Sequence, residues 1–193
     1  KILVAGGFGA GKTTFVGSAS EIPPLSTEEI LTDASAVTDS LTGVEGKTTT
    51  TVALDFGRIT LTGQNVVLML FGMPGQQRFD FLWDELSSGA MGAVILADTR
   101  QLTSCFPAVD YFEKQHLPLA VAVNHFDHSW CYSPEEVRDA LGLSPAVPVV
   151  LCDARRTDSA EEVLLTLAEH ALDHATVRIT RTARPSPHPA GAS

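Results

Sequence analysis

The sequence predicts an α/β fold, in which a mainly parallel β-sheet carries helices on both of its faces. After residue 66, short apolar runs suited to buried strands alternate with segments of helical periodicity. Alternation of this kind indicates parallel strands joined by crossover helices. Residues 52–61 and 66–71 flank a Thr-Gly-Gln-Asn turn at residues 62–65, which predicts one hairpin. The chain also opens on an apolar run, residues 2–5, that leads through a glycine-rich segment into a helix.

The first predicted helix begins at Lys12 and ends near Ala19, because Pro23 and Pro24 follow it. Residues 20–50 are rich in Thr, Ser, Gly and Asp. They exceed the length of about 12–15 residues above which an irregular loop is usually functional. We predict one short helix within this stretch, over residues 27–31.

The rest of the chain divides into strands and helices. Residues 52–61 alternate in polarity like a half-buried strand, whereas residues 66–71 form a continuous apolar run typical of a fully buried one. Later strands are predicted at 93–98, 119–124 and 147–152, and later helices at 78–86, 105–114, 134–141 and 159–175. The polar, proline-containing end lacks apolar periodicity, so we predict a domain over residues 1–177 and a disordered tail over 178–193.

Composition excludes several classes of partner. The chain has 193 residues, with 13 Lys and Arg against 23 Asp and Glu. The resulting net charge of −10 argues against binding to nucleic acid or to an anionic membrane surface. The three scattered cysteines are typical of reduced thiols in a cytoplasmic protein. No apolar run reaches the roughly 18 residues of a membrane span and no prenylation motif ends the chain, so we expect no direct membrane anchor.

Residues 6–13, called the phosphate loop below, match the spacing G-x-x-x-x-G-K-[ST]. Converging backbone N–H groups and the start of the following helix favour a bound phosphate. Lys12 supplies a positive charge near the β- and γ-phosphates, and the hydroxyl of Thr13 is placed to bind Mg²⁺. The predicted nucleotide contacts here are Gly9, Ala10, Gly11, Lys12, Thr13 and Thr14. The motif predicts a bound nucleoside di- or triphosphate without identifying the base.

Two further segments suit the γ-phosphate. Thr51 ends the long stretch before the hairpin, where its hydroxyl could complete the Mg²⁺ coordination once a γ-phosphate draws the segment in. Gly75 can bring a backbone N–H to the γ-phosphate, and Gln76 can orient the attacking water. We therefore predict Lys12, Thr51 and Gln76 as catalytic residues.

The base is expected after two later strands, because ligands of parallel sheets bind beyond the carboxyl ends of the strands. Asp127 can accept hydrogen bonds from N1–H and N2–H₂ of guanine, a donor pair that adenine lacks. Asn124 is expected to brace the neighbouring loops, and the backbone N–H of Ala154 to reach the base carbonyl. The predicted base contacts are Asn124, His125, Asp127, Asp153, Ala154 and Arg155.

Taken in order, these segments resemble the nucleotide-binding motifs of Ras-like small GTPases. Within that superfamily, residues 73–76 are similar to the bacterial MglA-type branch, where proline precedes the glycine. Residues 46–51, 55–57, 81–86 and 151–155 resemble, more narrowly, the actinobacterial conservon D-type proteins. The resemblance implies a single G domain with a six-stranded sheet and one antiparallel edge strand. It also implies a GDP/GTP cycle with Mg²⁺, a roadblock/LC7-fold partner and a sensor-kinase-like complex, through which any recruitment to a membrane would occur.

The sequence departs from the Ras-like pattern at three of these positions. Gly72 stands where Ras-like proteins have Asp, so a carboxylate contact to Mg²⁺ is expected to be missing. His125 replaces the lysine that lies along the guanine, which weakens the preference for that base. Phe8 replaces a glycine of the phosphate loop, where its bulk can crowd the water and Gln76.

The MglA branch has an arginine where this chain has Thr50, so a charge-stabilising arginine would have to be Arg78, Arg100 or a residue of a partner. Such a group is worth about 10³–10⁵ in rate, so we expect slow unaided hydrolysis. The leading hypothesis is a GTP-dependent molecular switch. The alternatives are a nucleotide-bound scaffold without hydrolysis and a P-loop phosphotransferase.

Overall fold

The computed structural model describes residues 1–31, 50–61, 66–75, 82–127, 129 and 131–182. Seven strands and five helices follow one another along this part of the chain. They are β1 (Ile2–Gly6), α1 (Lys12–Ala19), β2 (Leu25–Leu31), β3 (Thr50–Leu61), β4 (Val66–Gly72), α2 (Trp83–Ser87), β5 (Gly92–Ala97), α3 (Phe106–Lys114), β6 (Leu119–Asn124), α4 (Pro134–Leu141), β7 (Val149–Cys152) and α5 (Thr157–Thr182). A short 3-10 turn, Leu102–Cys105, leads into α3.

The strands form one sheet in the order β2-β3-β4-β1-β5-β6-β7. From β4 to β7 across the sheet all pairings are parallel, whereas β3 is antiparallel to both β2 and β4. The central strand β1 is apolar on both faces, and Ile2, Leu3 and Val4 are fully buried. A strand of this kind needs helices on both sides of the sheet.

Each face of the sheet carries its own apolar core. On one face α1 and α5 pack through side chains that include Phe15 and Leu164. On the other face α2, α3 and α4 contribute Trp83, Phe112 and Val137. The ring of Trp83 stacks on that of Phe112, with the ring centroids 6.1 Å apart. The two layers of helices hold the carboxyl ends of the parallel strands at one edge, where the loops of the site begin.

The predicted fold class is confirmed, because the six expected strands lie in a mostly parallel sheet between two helix layers. The helix predicted over residues 27–31 is wrong. These residues lie in β2, a seventh strand that pairs with β3 from Leu25 opposite Phe56 to Leu31 opposite Thr50. Pairing satisfies backbone groups along an edge of β3 that would otherwise be open, and this overrides a weak local helix preference.

The predicted end of the last helix was also too early. The helix α5 continues to Thr182, beyond both residue 175 and the proposed domain boundary at residue 177. No Gly or Pro interrupts the sequence before Pro185, so the helix continues although its apolar stripe has ended. Two parts of these predictions lie outside the described residues. They are residues 183–193 of the predicted tail and residues 78–81 of the helix predicted over residues 78–86. Within the described residues, no helix is long and apolar enough to cross a membrane.

Truncating Leu164 should destabilise the fold far more than truncating its neighbour. Leu164 is fully buried under the sheet, whereas Leu165 is 37% exposed on the same helix. We expect Leu164→Ala to lower the free energy of unfolding by about 2–5 kcal/mol because it leaves a cavity, and Leu165→Ala to lower it by about 1 kcal/mol or less. Urea unfolding of both variants measures the difference, and equal losses would contradict this packing of α5.

Candidate functional site

The phosphate loop is a tight turn in which three glycines have a positive φ, and two of them also leave no room for a side chain. Gly6 and Gly11 have backbone φ angles of +138° and +99°, a region that other residues rarely adopt. A Cβ atom on Gly6 would lie 2.5 Å from the Leu96 carbonyl oxygen, and one on Gly11 would lie 2.6 Å from Nδ2 of Asn124. The loop therefore sits directly against the ends of β5 and β6.

Lys12 lies across this loop. Its Nζ atom donates hydrogen bonds to the carbonyl oxygens of Gly6 at 3.0 Å and Gly7 at 2.8 Å. Burial lowers the pKa of Lys12 below its ordinary value, and the nearby charges of Asp55 and Cys105 oppose that shift. Gly75 approaches the same point, because a Cβ atom on it would lie 2.7 Å from Nζ of Lys12. The structure thus brings Gly75 and Lys12 together, as the sequence analysis expected of two groups that meet a γ-phosphate.

A carboxylate does lie beside Thr13, although Gly72 provides none. The hydroxyl of Thr13 donates to Oδ2 of Asp55 at 2.6 Å, and Asp55 is only 8% exposed. Asp55 on β3 stands directly opposite Gly72 on β4. A Cβ atom on Gly72 would lie 3.0 Å from that of Asp55, so the glycine leaves the room that the Asp55 side chain occupies. The carboxylate beside Thr13 is thus supplied by the strand next to the one that carries Gly72, and the expected loss of a contact to Mg²⁺ stays a prediction.

The hydroxyl of Thr13 and the carboxylate of Asp55 are oxygen ligands of the kind that Mg²⁺ prefers, so the donor set fits this cation. Thr51 lies on β3, four residues before Asp55, and its backbone is paired with that of Ile30 in β2. Its predicted role toward Mg²⁺ stays a prediction. Gln76 and Arg78 lie outside the described residues.

Asn124 connects the phosphate loop to the loop after β7. Its Nδ2 donates to the carbonyl oxygen of Ala10 at 2.9 Å, and its Oδ1 accepts from the backbone N–H of Ala154 at 3.0 Å. Asn124 is 5% exposed, so both hydrogen bonds are shielded from water. The N–H of Ala154, predicted to reach the base carbonyl, is thus engaged by Asn124 in this structure. A base carbonyl would have to share or replace that contact.

Two aspartates and an arginine form a charged group at the other end of the site. Nε and Nη2 of Arg155 donate to the two carboxylate oxygens of Asp153, at 2.8 and 2.9 Å. Its Nη1 also lies 3.2 Å from each carboxylate oxygen of Asp127. The hydrogen bonds from Arg155 lower the pKa of Asp153 to about 2, despite some opposing desolvation. His125 is exposed beside them, and its backbone N–H donates to the carbonyl oxygen of Cys152 at 2.7 Å.

The side chain of Arg100 is held at this end of the site by Asp98 and Phe126. Its guanidinium donates to both carboxylate oxygens of Asp98, at 2.9 and 2.7 Å, and lies 3.6 Å above the ring of Phe126. These hydrogen bonds lower the pKa of Asp98. Because Asp98 and Phe126 hold the guanidinium, the geometry argues against Arg100 as the charge-stabilising arginine that the sequence left open.

Two cavities open at this edge of the sheet. One, of about 420 Å³, is lined by Thr99, Asn124, His125, Tyr132 and Asp153, among others. The second, of about 330 Å³, lies beside the phosphate loop and is lined by uncharged residues among those described. They are Gly6, Gly7, Phe8, Gly75, Trp83, Gln101, Thr103, Ser104, Pro107 and Ala108. Phe8 is 77% exposed at that position.

Asp55 is the site residue that the sequence analysis missed. A signal was present, because Asp55 has the same parity along β3 as the buried residue Ile59, on a strand that alternates in polarity. A carboxylate on the buried side of a strand requires a partner. The partner, Thr13, lies 42 residues away in sequence and could not be identified without the fold.

A family model described as a conserved hypothetical ATP binding protein matches residues 4–174. Among curated proteins, the Ras-related protein SEC4 of Saccharomyces cerevisiae is 26% identical over 128 residues. That alignment covers 62% of this chain and 60% of SEC4, so it spans less than two thirds of that relative's length.

Solved G domains share the fold. The G domain of the T. maritima FeoB iron transporter superposes with a TM-score of 0.56 at 19% identity, covering 90% of this chain and 97% of that one. The FeoB G domain from Methanococcus jannaschii gives a TM-score of 0.59 at 15% identity, with coverages of 89% and 97%. The GDP-bound cytosolic domain of T. maritima FeoB gives 0.62 at 18% identity, covering 88% of this chain and 62% of that one.

Identities this low establish the G-domain fold alone. The family model covers most of the chain. It begins in β1, includes the phosphate loop and the loops after β6 and β7, and ends within α5. The chain therefore belongs to the family of conserved hypothetical ATP binding proteins.

Proposed function

We propose that this protein is a guanine-nucleotide-binding switch with slow, Mg²⁺-dependent GTP hydrolysis. The observation that carries the proposal is the buried bridge made by Asn124 between Ala10 and Ala154. It fixes a phosphate loop and two base-side loops along one edge of a G-domain sheet. An extended nucleotide can then reach Lys12 with its phosphates and Asp127 with its base.

The base is proposed to be guanine, although the family description mentions ATP. An ionised Asp127 can only accept hydrogen bonds, which suits the N1–H and N2–H₂ donors of guanine and repels the N1 acceptor of adenine. FeoB structures with GDP and GMPPNP have the same fold and are consistent with this choice. Asp153, Ala154 and Arg155 would complete the base site, with His125 beside the base.

Mg²⁺ is proposed to bind at Thr13 and to be oriented by Asp55, with Thr51 joining in the GTP state. The ion would neutralise charge on the β- and γ-phosphates. Lys12 would release the carbonyl oxygens of Gly6 and Gly7 and turn its charge to the phosphates. Gly75 would donate its N–H to the γ-phosphate, and Gln76 would orient the attacking water.

Hydrolysis is proposed to be slow without help. Arg100 is held by Asp98 and Phe126, and Phe8 stands exposed beside the phosphate loop. By family resemblance, the MglA-like and conservon-type assignment gives a roadblock/LC7-fold protein and a sensor-kinase-like complex as partners. The protein would act in the cytoplasm, with any recruitment to the membrane through those partners.

A nucleotide-bound scaffold that does not hydrolyse GTP is the second candidate. The exposed bulk of Phe8 favours it, because a large side chain at that point can exclude a correctly placed water. A phosphotransferase is less well supported. The cavity beside the phosphate loop is lined by uncharged residues in the described chain, which does not suit a phosphorylated acceptor.

Asp127 should determine the choice of base. Wild-type protein is expected to bind GDP more tightly than ADP, and Asp127→Asn to weaken GDP binding by about 10- to 100-fold, since hydrogen bonds to a charged group are lost. Asp139→Asn, on the exposed surface of α4, is the matched control and should bind GDP normally. Calorimetric titration with GDP, ADP and xanthosine diphosphate measures these affinities. A preference of the wild-type protein for ADP would rule out the guanine assignment.

Asp55 should couple Mg²⁺ to nucleotide retention. In wild-type protein Mg²⁺ is expected to slow the release of GDP, and Asp55→Asn should reduce that effect about tenfold, because the amide lacks the charge of the carboxylate. The double variant Asp55→Gly with Gly72→Asp returns a carboxylate from the opposite strand and should restore it. Release rates of a fluorescent GDP analogue, with Mg²⁺ and with EDTA, test the prediction. An unchanged Mg²⁺ effect in a folded Asp55→Asn protein would refute the role of Asp55.

Gln76 should separate the switch from the scaffold. A single-turnover assay with GTP is expected to show slow hydrolysis in wild-type protein and at least a tenfold loss in Gln76→Leu, because the water is no longer oriented. GTP binding should stay unchanged in this variant. Absence of hydrolysis by the wild-type protein, alone and with a roadblock-type partner, would favour the scaffold.

A further inference from the structure

Arg155 spans the base site between two carboxylates. Its primary anchor is Asp153, which accepts from Nε at 2.8 Å and from Nη2 at 2.9 Å. The remaining terminal nitrogen, Nη1, lies 3.2 Å from Oδ1 and 3.2 Å from Oδ2 of Asp127. Equal distances place Nη1 across the two oxygens of the Asp127 carboxylate, so it contacts both of them at once.

Those two oxygens are the atoms that the proposed function assigns to N1–H and N2–H₂ of guanine. The guanidinium therefore lies where the base would approach the same two oxygens. We propose that Arg155 is a latch that closes the base site by contacting Asp127, and that guanine opens it by taking Asp127 from Nη1. The inference rests on the proposed function. It adds a residue that regulates entry to the same site.

The surrounding contacts indicate that Arg155 is not needed to hold the loop of Asp127 in place. The loop that carries Asp127 keeps its shape without Arg155, because the N–H of His125 donates to Cys152 and Phe126 packs against Arg100. Arg155 likewise keeps its two hydrogen bonds to Asp153 when it leaves Asp127. Among the described residues, opening thus breaks only the contact to Asp127, whose side chain is 69% exposed.

The latch also sharpens the choice of base. Guanine offers two donors to the oxygens that Nη1 gives up, so the hydrogen bonds lost are replaced. Adenine offers an acceptor at the same place, and opening the latch would leave Asp127 facing that acceptor. The Arg155–Asp127 contact therefore makes adenine binding less favourable than guanine binding, because only guanine replaces the hydrogen bonds that are lost.

Arg155→Met tests the latch, because methionine keeps an apolar stem beside the base and removes the guanidinium. Arg58→Met is the matched control, since Arg58 forms an exposed ion pair with Glu21 at 3.2 Å and makes no contact with Asp127 among the described residues. The probe is a fluorescent GDP analogue in stopped flow with full-length protein. We expect the association rate constant to rise about two- to fivefold in Arg155→Met, the range set by an exposed ion pair, and to stay unchanged in Arg58→Met.

Salt provides a second readout. An exposed ion pair weakens at high ionic strength, so the ratio between variant and wild-type rate constants should fall toward one as salt rises. Thermal melting of each variant establishes that it is folded.

The outcomes separate this inference from the function on which it rests. Slower association of Arg155→Met, or an unchanged rate constant at low salt, would overturn the latch while GDP binding by the wild-type protein kept the proposed function intact. A ratio that stays constant with salt would also overturn it. If no protein, wild-type included, bound the GDP analogue, the proposed function itself would fail.

Discussion

The side-chain amide of Asn124 is the contact on which the site depends. It donates to Ala10 and accepts from Ala154, and its Nδ2 lies so close to Gly11 that no side chain fits there. Both hydrogen bonds are buried, so loss of the amide would leave two unpaired polar groups, each costing about 1–3 kcal/mol. One side chain thereby fixes the phosphate loop against the base-side loops, and neither half of the site is independent of the other.

That contact is possible because of the order of the strands. The strands β1, β6 and β7 end at the same edge of a parallel sheet, and β5 lies between β1 and β6. Their registers bring the end of β1 beside β5, and Asn124 opposite Cys152 of β7. The apolar, fully buried β1 fixes this arrangement, since its two faces need a layer of helices each. The positions of the site residues at the strand ends therefore depend on the packing of β1 at the centre of the sheet.

Most of this fold is predictable from the sequence, because strands and the phosphate loop have local signals. Continuous apolar runs identify β4, β5 and β6, and glycine spacing identifies the loop. The prediction that β4 is fully buried is wrong, because Val66, Val67 and Met69 are exposed and only part of the strand is covered. The strand β2 was not predicted, because its strand state comes from pairing with β3, a contact between residues far apart in sequence. Asp55 was not predicted for the same reason. Only the register of the hairpin places Asp55 opposite Gly72, and a shift by one residue would turn the carboxylate to the other face.

The position of the carboxylate beside Thr13 thus matters more than the strand that supplies it, because Asp55 on β3 lies opposite Gly72 on β4. Three acidic residues lie in the site and each is paired, Asp55 with the hydroxyl of Thr13, and Asp127 and Asp153 with Arg155. This pairing matters in a chain of net charge −10, which repels a nucleotide's phosphates at long range. Local donors must outweigh that repulsion, and Arg155 offsets part of the negative charge of Asp127 and Asp153. In the proposed function, the same pairing gives Asp55 and Asp127 a partner to exchange, so that binding at either end of the nucleotide would replace existing hydrogen bonds.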